Sequence, residues 1–141
     1  DPLLRGGFMR LGHDSTPEML GYAVLEGVGF GLLDAMNATL SAGASVNACA
    51  LVGGGARSHY WAQLLANILD REVYTLHGSE LSACIGAAKL GFMAIGQGAK
   101  VLQRGMPIKA RYRPMADVQP VLRARYQQFQ GLLPAARGLH R

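Results

Sequence analysis

The sequence contains little cysteine and no long hydrophobic run, and both shortages narrow its class. Only Cys49 and Cys84 occur among 141 residues, which excludes a small scaffold held together by disulfides. Both cysteines have apolar neighbours, so we expect buried, reduced thiols of a cytoplasmic protein. No cysteine–histidine cluster has the spacing of metal ligands, and no metal site is predicted. No uninterrupted apolar run reaches the roughly 18 residues that cross a bilayer, and no membrane partner is predicted.

Acidic and aromatic residues are also scarce. Nine Asp and Glu stand against fourteen Lys and Arg, for a formal charge of +5, and aromatic residues make up 7%. From Lys100 onward the single acid is Asp117, an imbalance that is typical of proteins that bind nucleic acid. The basic residues are scattered, however, and no platform of stacking aromatic residues accompanies them. We therefore predict a solvated basic face and no nucleic-acid partner.

Hydrophobic residues and glycine are abundant instead. Hydrophobic residues make up 50%, enough for a core, and the length is that of one domain or part of one. The most informative stretch is an apolar run at 48–52 followed by Gly53, Gly54 and Gly55. Glycine lets a ligand approach the backbone closely, and a helix that begins near Ser58 offers unpaired N–H groups. The stretch predicts either a nucleotide or phosphate cradle or a tight turn without a ligand, because a glycine turn alone is a weak motif.

The rest of the chain alternates between helix and strand. A helix is predicted from Pro17 to about Leu40, capped by Ser15 or Thr16, and its wide apolar surface predicts that it is mostly buried. The alternation predicts an α/β fold with mostly parallel strand pairing. The other predicted elements are strands at 46–52 and 72–76, helices from Ser58, from 79 to about 95 and from about 118 to 133, and a connector at 97–114.

Each of four side chains has both a structural and a functional interpretation. Glu26 and Asp34, inside the first helix, are predicted to be structural carboxylates rather than catalytic ones. Trp61 is predicted to pack in the core rather than to stack on a base. Gln63 is either a polar group behind the site or an exposed helix residue.

Three segments, in the right order, resemble the C-terminal part of the FGGY family of carbohydrate kinases. The glycine stretch with Trp61 and Gln63 is the most specific of them. The resemblance covers essentially the whole chain and, within the family, is greatest to members that phosphorylate D-xylulose. Its segments are 1–8 with 23–30, then 53–63, then Ser79–Glu80 leading to 86–88, with a similar tail from Tyr112-Arg-Pro114 through Tyr126 and Phe129.

The resemblance implies a ribonuclease-H-like portion of an actin/hexokinase/Hsp70-type C-terminal domain. Residues 1–141 would then be the nucleotide-side fragment of a kinase, and the N-terminal sugar-side domain would be absent. In the intact protein, ATP and Mg²⁺ would serve the phosphorylation of a ketopentose, D-xylulose. The base is expected on the absent domain, so no catalytic residue is assigned here and the fragment alone is expected to be inactive. The alternatives are a non-catalytic nucleotide-sensing domain of the same superfamily and a basic nucleic-acid module.

The same resemblance places the adenine nucleotide at Gly53, Gly54, Gly55, Ala56, Ser58 and His59. Backbone N–H groups of the glycine stretch would approach the α-phosphate and ribose, and Ser58 and His59 would flank the adenine. His59 departs from the pattern, because related glycerol kinases have there an Asn that touches adenine. Apolar surface on the first helix leaves homodimer formation open.

Overall fold

The computed structural model describes residues 6–97, 101 and 105–138. Within this part of the chain the predicted α/β class is confirmed, and residues 1–5 of the family-like segment 1–8 lie outside it. Short 3₁₀ turns occur at Gly54–Arg57 and Ser79–Leu81. The helices and strands, in chain order, are α1 (Pro17–Ser41), β1 (Ala48–Leu51), α2 (His59–Leu69), β2 (Glu72–Leu76), α3 (Ser82–Ala94), β3 (Ile108–Tyr112) and α4 (Gln119–Gly138).

The chain divides into two compact units. The first unit contains α1, α4 and the end of α2, Asn67–Leu69. The second contains the three strands, α3, the glycine stretch and the rest of α2.

The first unit is built on contacts between α1 and α4. Thr16 caps α1, because its hydroxyl accepts the N–H of Met19 at 3.3 Å. Phe30 is 3% exposed, and its ring lies 5.5 Å from that of Tyr126 and 5.4 Å from that of Phe129. Phe30 is thus buried beneath two half-buried rings, and the other buried apolar side chains described in this unit are those of Ile68, Leu69 and Leu122.

One glycine of α1 allows a close approach. A Cβ at Gly29 would lie 2.5 Å from Cδ1 of Ile68. Gly27 and Gly31 have no such neighbour, because a Cβ on either would meet nothing within 4 Å. Of these three glycines, close packing therefore requires only Gly29.

The prediction that α1 is mostly buried is wrong. Its buried residues are Gly29 and Phe30, whereas Met19, Val24 and Val28 are more than half exposed. Apolar composition shows that a helix can bury its surface, but the elements that pack against it decide whether it does. By length and hydropathy α1 is also apolar enough to cross a membrane, although polar residues interrupt its apolar sequence. One such helix is weak evidence and assigns no membrane span.

The second unit is organised around the central strand β2 in a sheet of order β1-β2-β3. β1 pairs with β2 in parallel, as expected for two strands joined through a helix, and Cys49 lies opposite Val73. β2 pairs with β3 in antiparallel fashion. Val73 and Thr75 on β2 are 1% and 2% exposed. The predicted parallel pairing is thus correct for β1 and wrong for β3.

Strand β3 lies inside the predicted connector and was missed. Its side chains alternate between apolar Ile108, Ala110 and Tyr112 and basic Lys109 and Arg111, which is the period of a strand. Gly105, Pro107 and Pro114 flank this stretch and are typical of a connector, so the strand was not predicted.

The cysteines and the start of α3 also differ from expectation. Both cysteines are free thiols, as expected, but Cys84 is exposed and Cys49 is half-buried. Apolar sequence neighbours predicted burial, whereas Cys84 lies on a helix without a buried residue. The helix predicted from Ser79 begins as a 3₁₀ turn, and α3 itself begins at Ser82.

Candidate functional site

The start of α2 is fixed by its N-cap. Ser58 has extended dihedral angles, φ −92° and ψ 109°, and its hydroxyl accepts the N–H of Trp61 at 3.1 Å. The predicted helix start near Ser58 is therefore confirmed. The cap satisfies one of the free N–H groups in the first turn, and this helix end, which carries a partial positive charge, follows the glycine stretch directly in the chain.

The turn between β1 and α2 depends on Gly53. Its φ of +81° and ψ of −167° lie in a region that essentially only glycine adopts. Its N–H donates to the carbonyl of Ser79 at 2.8 Å, which ties the end of β1 to the turn before α3. The chain then makes one 3₁₀ turn, in which the N–H of Ala56 donates to the carbonyl of Gly53 at 3.1 Å. The next residue, Ser58, caps α2.

The three glycines differ in what they leave open. Gly54 and Gly55 are exposed, and a Cβ on Gly54 would meet nothing within 4 Å. A Cβ on Gly55 would lie 3.2 Å from Cδ1 and 3.3 Å from Nε1 of Trp61. The indole thus fills the space beside Gly55 and is half-buried rather than part of the fully buried core. A Cβ on Gly53 would also meet nothing within 4 Å, but Gly53 is half-buried, so Gly54 offers the more open backbone face.

Two further residues contact the start of α2 and were not predicted. The Nδ1 of His59 lies 2.5 Å from the hydroxyl oxygen of Tyr112, the last residue of β3. One turn further along α2, the amide of Gln63 donates to the carbonyl of Arg113 at 2.8 Å. Gln63 is therefore a half-buried residue that links α2 to the end of β3. Tyr112 could have been found only by predicting β3, because this strand brings it to the start of α2.

The carboxylates of α1 are engaged in structural contacts. Glu26 accepts hydrogen bonds from the Tyr22 hydroxyl at 2.9 Å and from Arg125 at 3.0 Å. Its hydrogen bond raises the pKa of Arg125. Asp34 accepts a hydrogen bond from Tyr126, whose pKa is raised by burial and by this contact. These partners support the structural interpretation of both carboxylates.

Several basic side chains are also paired. Arg125 is 47% exposed and also pairs with Glu26, because α4 packs on α1 in the first unit. Arg111 pairs with Glu72 across the sheet, and Nε of Arg113 lies 3.5 Å from the same carboxylate. Arg111 holds the pKa of Glu72 below its ordinary value. These arginines thus have structural partners within their own units.

The described residues provide no resident metal site. Within residues 6–97, 101 and 105–138 there is no group of three His, Cys, Asp or Glu that could hold a metal ion.

The chain is similar in sequence to known carbohydrate kinases. The model of the FGGY family of carbohydrate kinases, C-terminal domain, matches residues 1–95. The xylulose kinase of Escherichia coli K12 is 32% identical over 142 residues, which cover 94% of this chain and 29% of that enzyme. The gluconokinase of Bacillus subtilis is 35% identical over 98 residues, 69% of this chain and 19% of that enzyme.

A solved structure has the same fold. The crystal structure of a xylulose kinase from Brucella ovis superposes with a TM-score of 0.82 at 31% identity, covering 96% of this chain and 28% of that one. The predicted portion of an actin/hexokinase-type C-terminal domain is confirmed by this likeness. The chain spans less than a third of the length of these relatives.

Proposed function

Because this chain belongs to the FGGY family of carbohydrate kinases, we propose that it forms the C-terminal, nucleotide-side part of an ATP-dependent sugar kinase. The observation that carries the proposal is the junction between β1 and α2. There a glycine turn with one open backbone face leads into a capped helix N-terminus. Such a junction suits a phosphate or ribose that must approach the backbone closely.

Each residue of the junction has its own role in this proposal. Gly54 and Gly55 present backbone to the α-phosphate and ribose, and Ser58 and His59 flank the adenine. Gly53 and Ala56 shape the turn, because their N–H groups already donate within the protein. This division narrows the sequence-based assignment, in which all four turn residues approached the nucleotide.

The reaction is transfer of the γ-phosphoryl group. A sugar hydroxyl oxygen attacks the γ-phosphorus, the bond from that phosphorus to the β–γ bridging oxygen breaks, and ADP leaves. The hydroxyl proton passes to a base that we expect outside residues 1–141. The contribution of this chain is to hold and orient the nucleotide, the positioning on which phosphoryl transfer largely depends. Mg²⁺ supplies charge neutralisation at the phosphates, and no residue of this chain is assigned as its ligand.

D-xylulose is the sugar we propose, and the cytoplasm is the proposed location. The support is the xylulose kinase from E. coli, which matches nearly the whole chain, whereas the gluconokinase matches about two thirds of it. Sugar specificity is expected to reside in the remainder of the intact protein.

An assay of the intact protein tests this function. ADP release with Mg-ATP is measured in the presence of D-xylulose, gluconate or no sugar. We expect turnover that depends on D-xylulose, and none from residues 1–141 alone. Turnover with gluconate but not with D-xylulose contradicts the proposal that D-xylulose is the substrate. Saturable ADP binding without turnover on either acceptor favours the nucleotide-sensing alternative instead.

A further inference from the structure

The imidazole of His59 is held by a hydrogen bond at one of its two nitrogens. Its Nδ1 meets the hydroxyl of Tyr112 at 2.5 Å, and the two rings lie 6.0 Å apart at an angle of 52°. His59 is exposed at the first position of α2, whereas Tyr112 is half-buried at the end of β3. An exposed imidazole at a helix start ordinarily samples several rotamers, and this contact selects one of them.

Tyr112 is itself held by the sheet. In the antiparallel pairing it lies opposite Val73, which is 1% exposed on the central strand. The neighbouring carbonyl of Arg113 accepts the Gln63 amide, which attaches the end of β3 to α2 at a second point. The phenol hydroxyl therefore occupies a fixed position relative to the first turn of α2.

A hydrogen bond at Nδ1 determines what the other ring nitrogen offers. An imidazole nitrogen is a better acceptor than a phenol oxygen, and a phenol hydroxyl is a good donor, so Tyr112 donates and Nδ1 accepts. In neutral imidazole the proton then lies on Nε2, which becomes a donor. Among the described residues, no hydrogen-bond partner occupies this Nε2.

We propose that Tyr112 is a positioning residue of the nucleotide site: it fixes the rotamer and tautomer of His59, so that Nε2–H donates to an acceptor atom of the nucleoside. The inference rests on the proposed nucleotide site at 53–59. It adds a residue from the distant strand β3.

A double-mutant cycle on the intact protein tests the proposal. The Kd for Mg-ADP is measured by calorimetry for the wild type, Tyr112→Phe, His59→Ala and the double variant. Tyr112→Phe retains the ring and removes only the hydroxyl. It should raise Kd by roughly three- to tenfold, the worth of one hydrogen bond, and should change Kd by less than about twofold when His59 is already Ala.

The matched control is Tyr74→Phe, which removes a hydroxyl from the same sheet. It should leave Kd unchanged. An equal loss from Tyr112→Phe in both His59 backgrounds overturns the proposal, because Tyr112 then acts on the fold and not through His59. An unchanged Kd in Tyr112→Phe overturns it as well.

The tautomer gives a readout that needs no nucleotide. Long-range ¹H–¹⁵N spectra of protein with ¹⁵N-histidine, assigned by the signal lost in His59→Ala, should show the Nε2–H form in the wild type and a mixture in Tyr112→Phe. If this signature is present but the wild type binds no Mg-ADP, the proposed function fails and the role in nucleotide binding fails with it. If the wild type binds Mg-ADP and its tautomer is the same in Tyr112→Phe, the positioning role alone fails.

Discussion

The two units hold their helices by opposite means. In the second unit, the dihedral angles of Gly53 and the Ser58 cap set the turn and helix start between β1 and α2 locally, and contacts with more distant residues add to them. In the first unit, α1 is held by residues about 90 to 100 positions away, where Arg125 meets Glu26 and Tyr126 meets Asp34. Short-range signals can be recognised in a sequence, whereas partners this distant cannot be identified from local pattern.

The largest expected effect concerns the first unit. Phe30→Ala removes the buried ring that contacts Tyr126 and Phe129, and should lower the free energy of unfolding by roughly 3–5 kcal/mol. Leu32→Ala, two residues later and 46% exposed, should change it by no more than about 0.5 kcal/mol. Urea denaturation measures both. Equal effects would show that α1 has no defined buried face.

The next effect tests the local geometry of the second unit. Gly53→Ala forces a side chain into a backbone conformation at φ +81° and should cost roughly 1–3 kcal/mol of stability. Gly31→Ala is the matched control, because its Cβ meets nothing within 4 Å in ordinary helix, and it should stabilise by up to about 1 kcal/mol. A Gly53→Ala protein as stable as the wild type would contradict the strained turn.

Helix caps allow the same chemistry to be compared in both units. Ser58→Ala and Thr16→Ala each remove a hydroxyl that accepts a first-turn N–H, and each should cost about 1 kcal/mol of unfolding free energy. Ser58→Asp should restore the lost stability, since a carboxylate also caps. A loss confined to one unit would show that the other helix start is held by something besides its cap.

The smallest effect is a pH dependence in the sheet. Arg111 keeps the pKa of Glu72 below its ordinary value of 4.5, so the folded state binds this proton less readily than the unfolded state. The resulting stabilisation is fully present above pH 4.5 and is lost as pH falls through the lowered pKa. Glu72→Gln should therefore flatten the difference in stability between neutral pH and pH 3. Identical pH profiles for variant and wild type would show that the Glu72–Arg111 pair does not contribute to the pH dependence of stability.

Most of the elements could be predicted, but their burial could not. The limits of β2 and the start of α2 follow from local alternation and capping, and both are confirmed. The exposure of α1 and Cys84 depends on which elements pack against them, and no local pattern encodes that. β3 was missed because flanking glycine and prolines suggested a connector.

The candidate site was likewise predicted only in its contiguous part. The stretch 48–59 has the predicted strand, turn and capped helix start, while its nucleotide contacts remain a prediction. Two other contacts of the junction come from distant segments. Pairing of β3 with β2 brings Tyr112 to it, and the turn before α3 brings the Ser79 carbonyl.

The central claim, that the glycine turn binds the nucleotide, is tested most directly at Gly54. A Cβ there meets no protein atom within 4 Å, so Gly54→Ala fills only the space through which a ligand would approach. The Kd for Mg-ADP is measured by calorimetry on the intact protein, with Gly31→Ala as the control. We predict a Kd at least roughly tenfold higher for Gly54→Ala, a loss of about 1.4 kcal/mol, with unchanged stability. The same Kd for Gly54→Ala as for the wild type would contradict the claim.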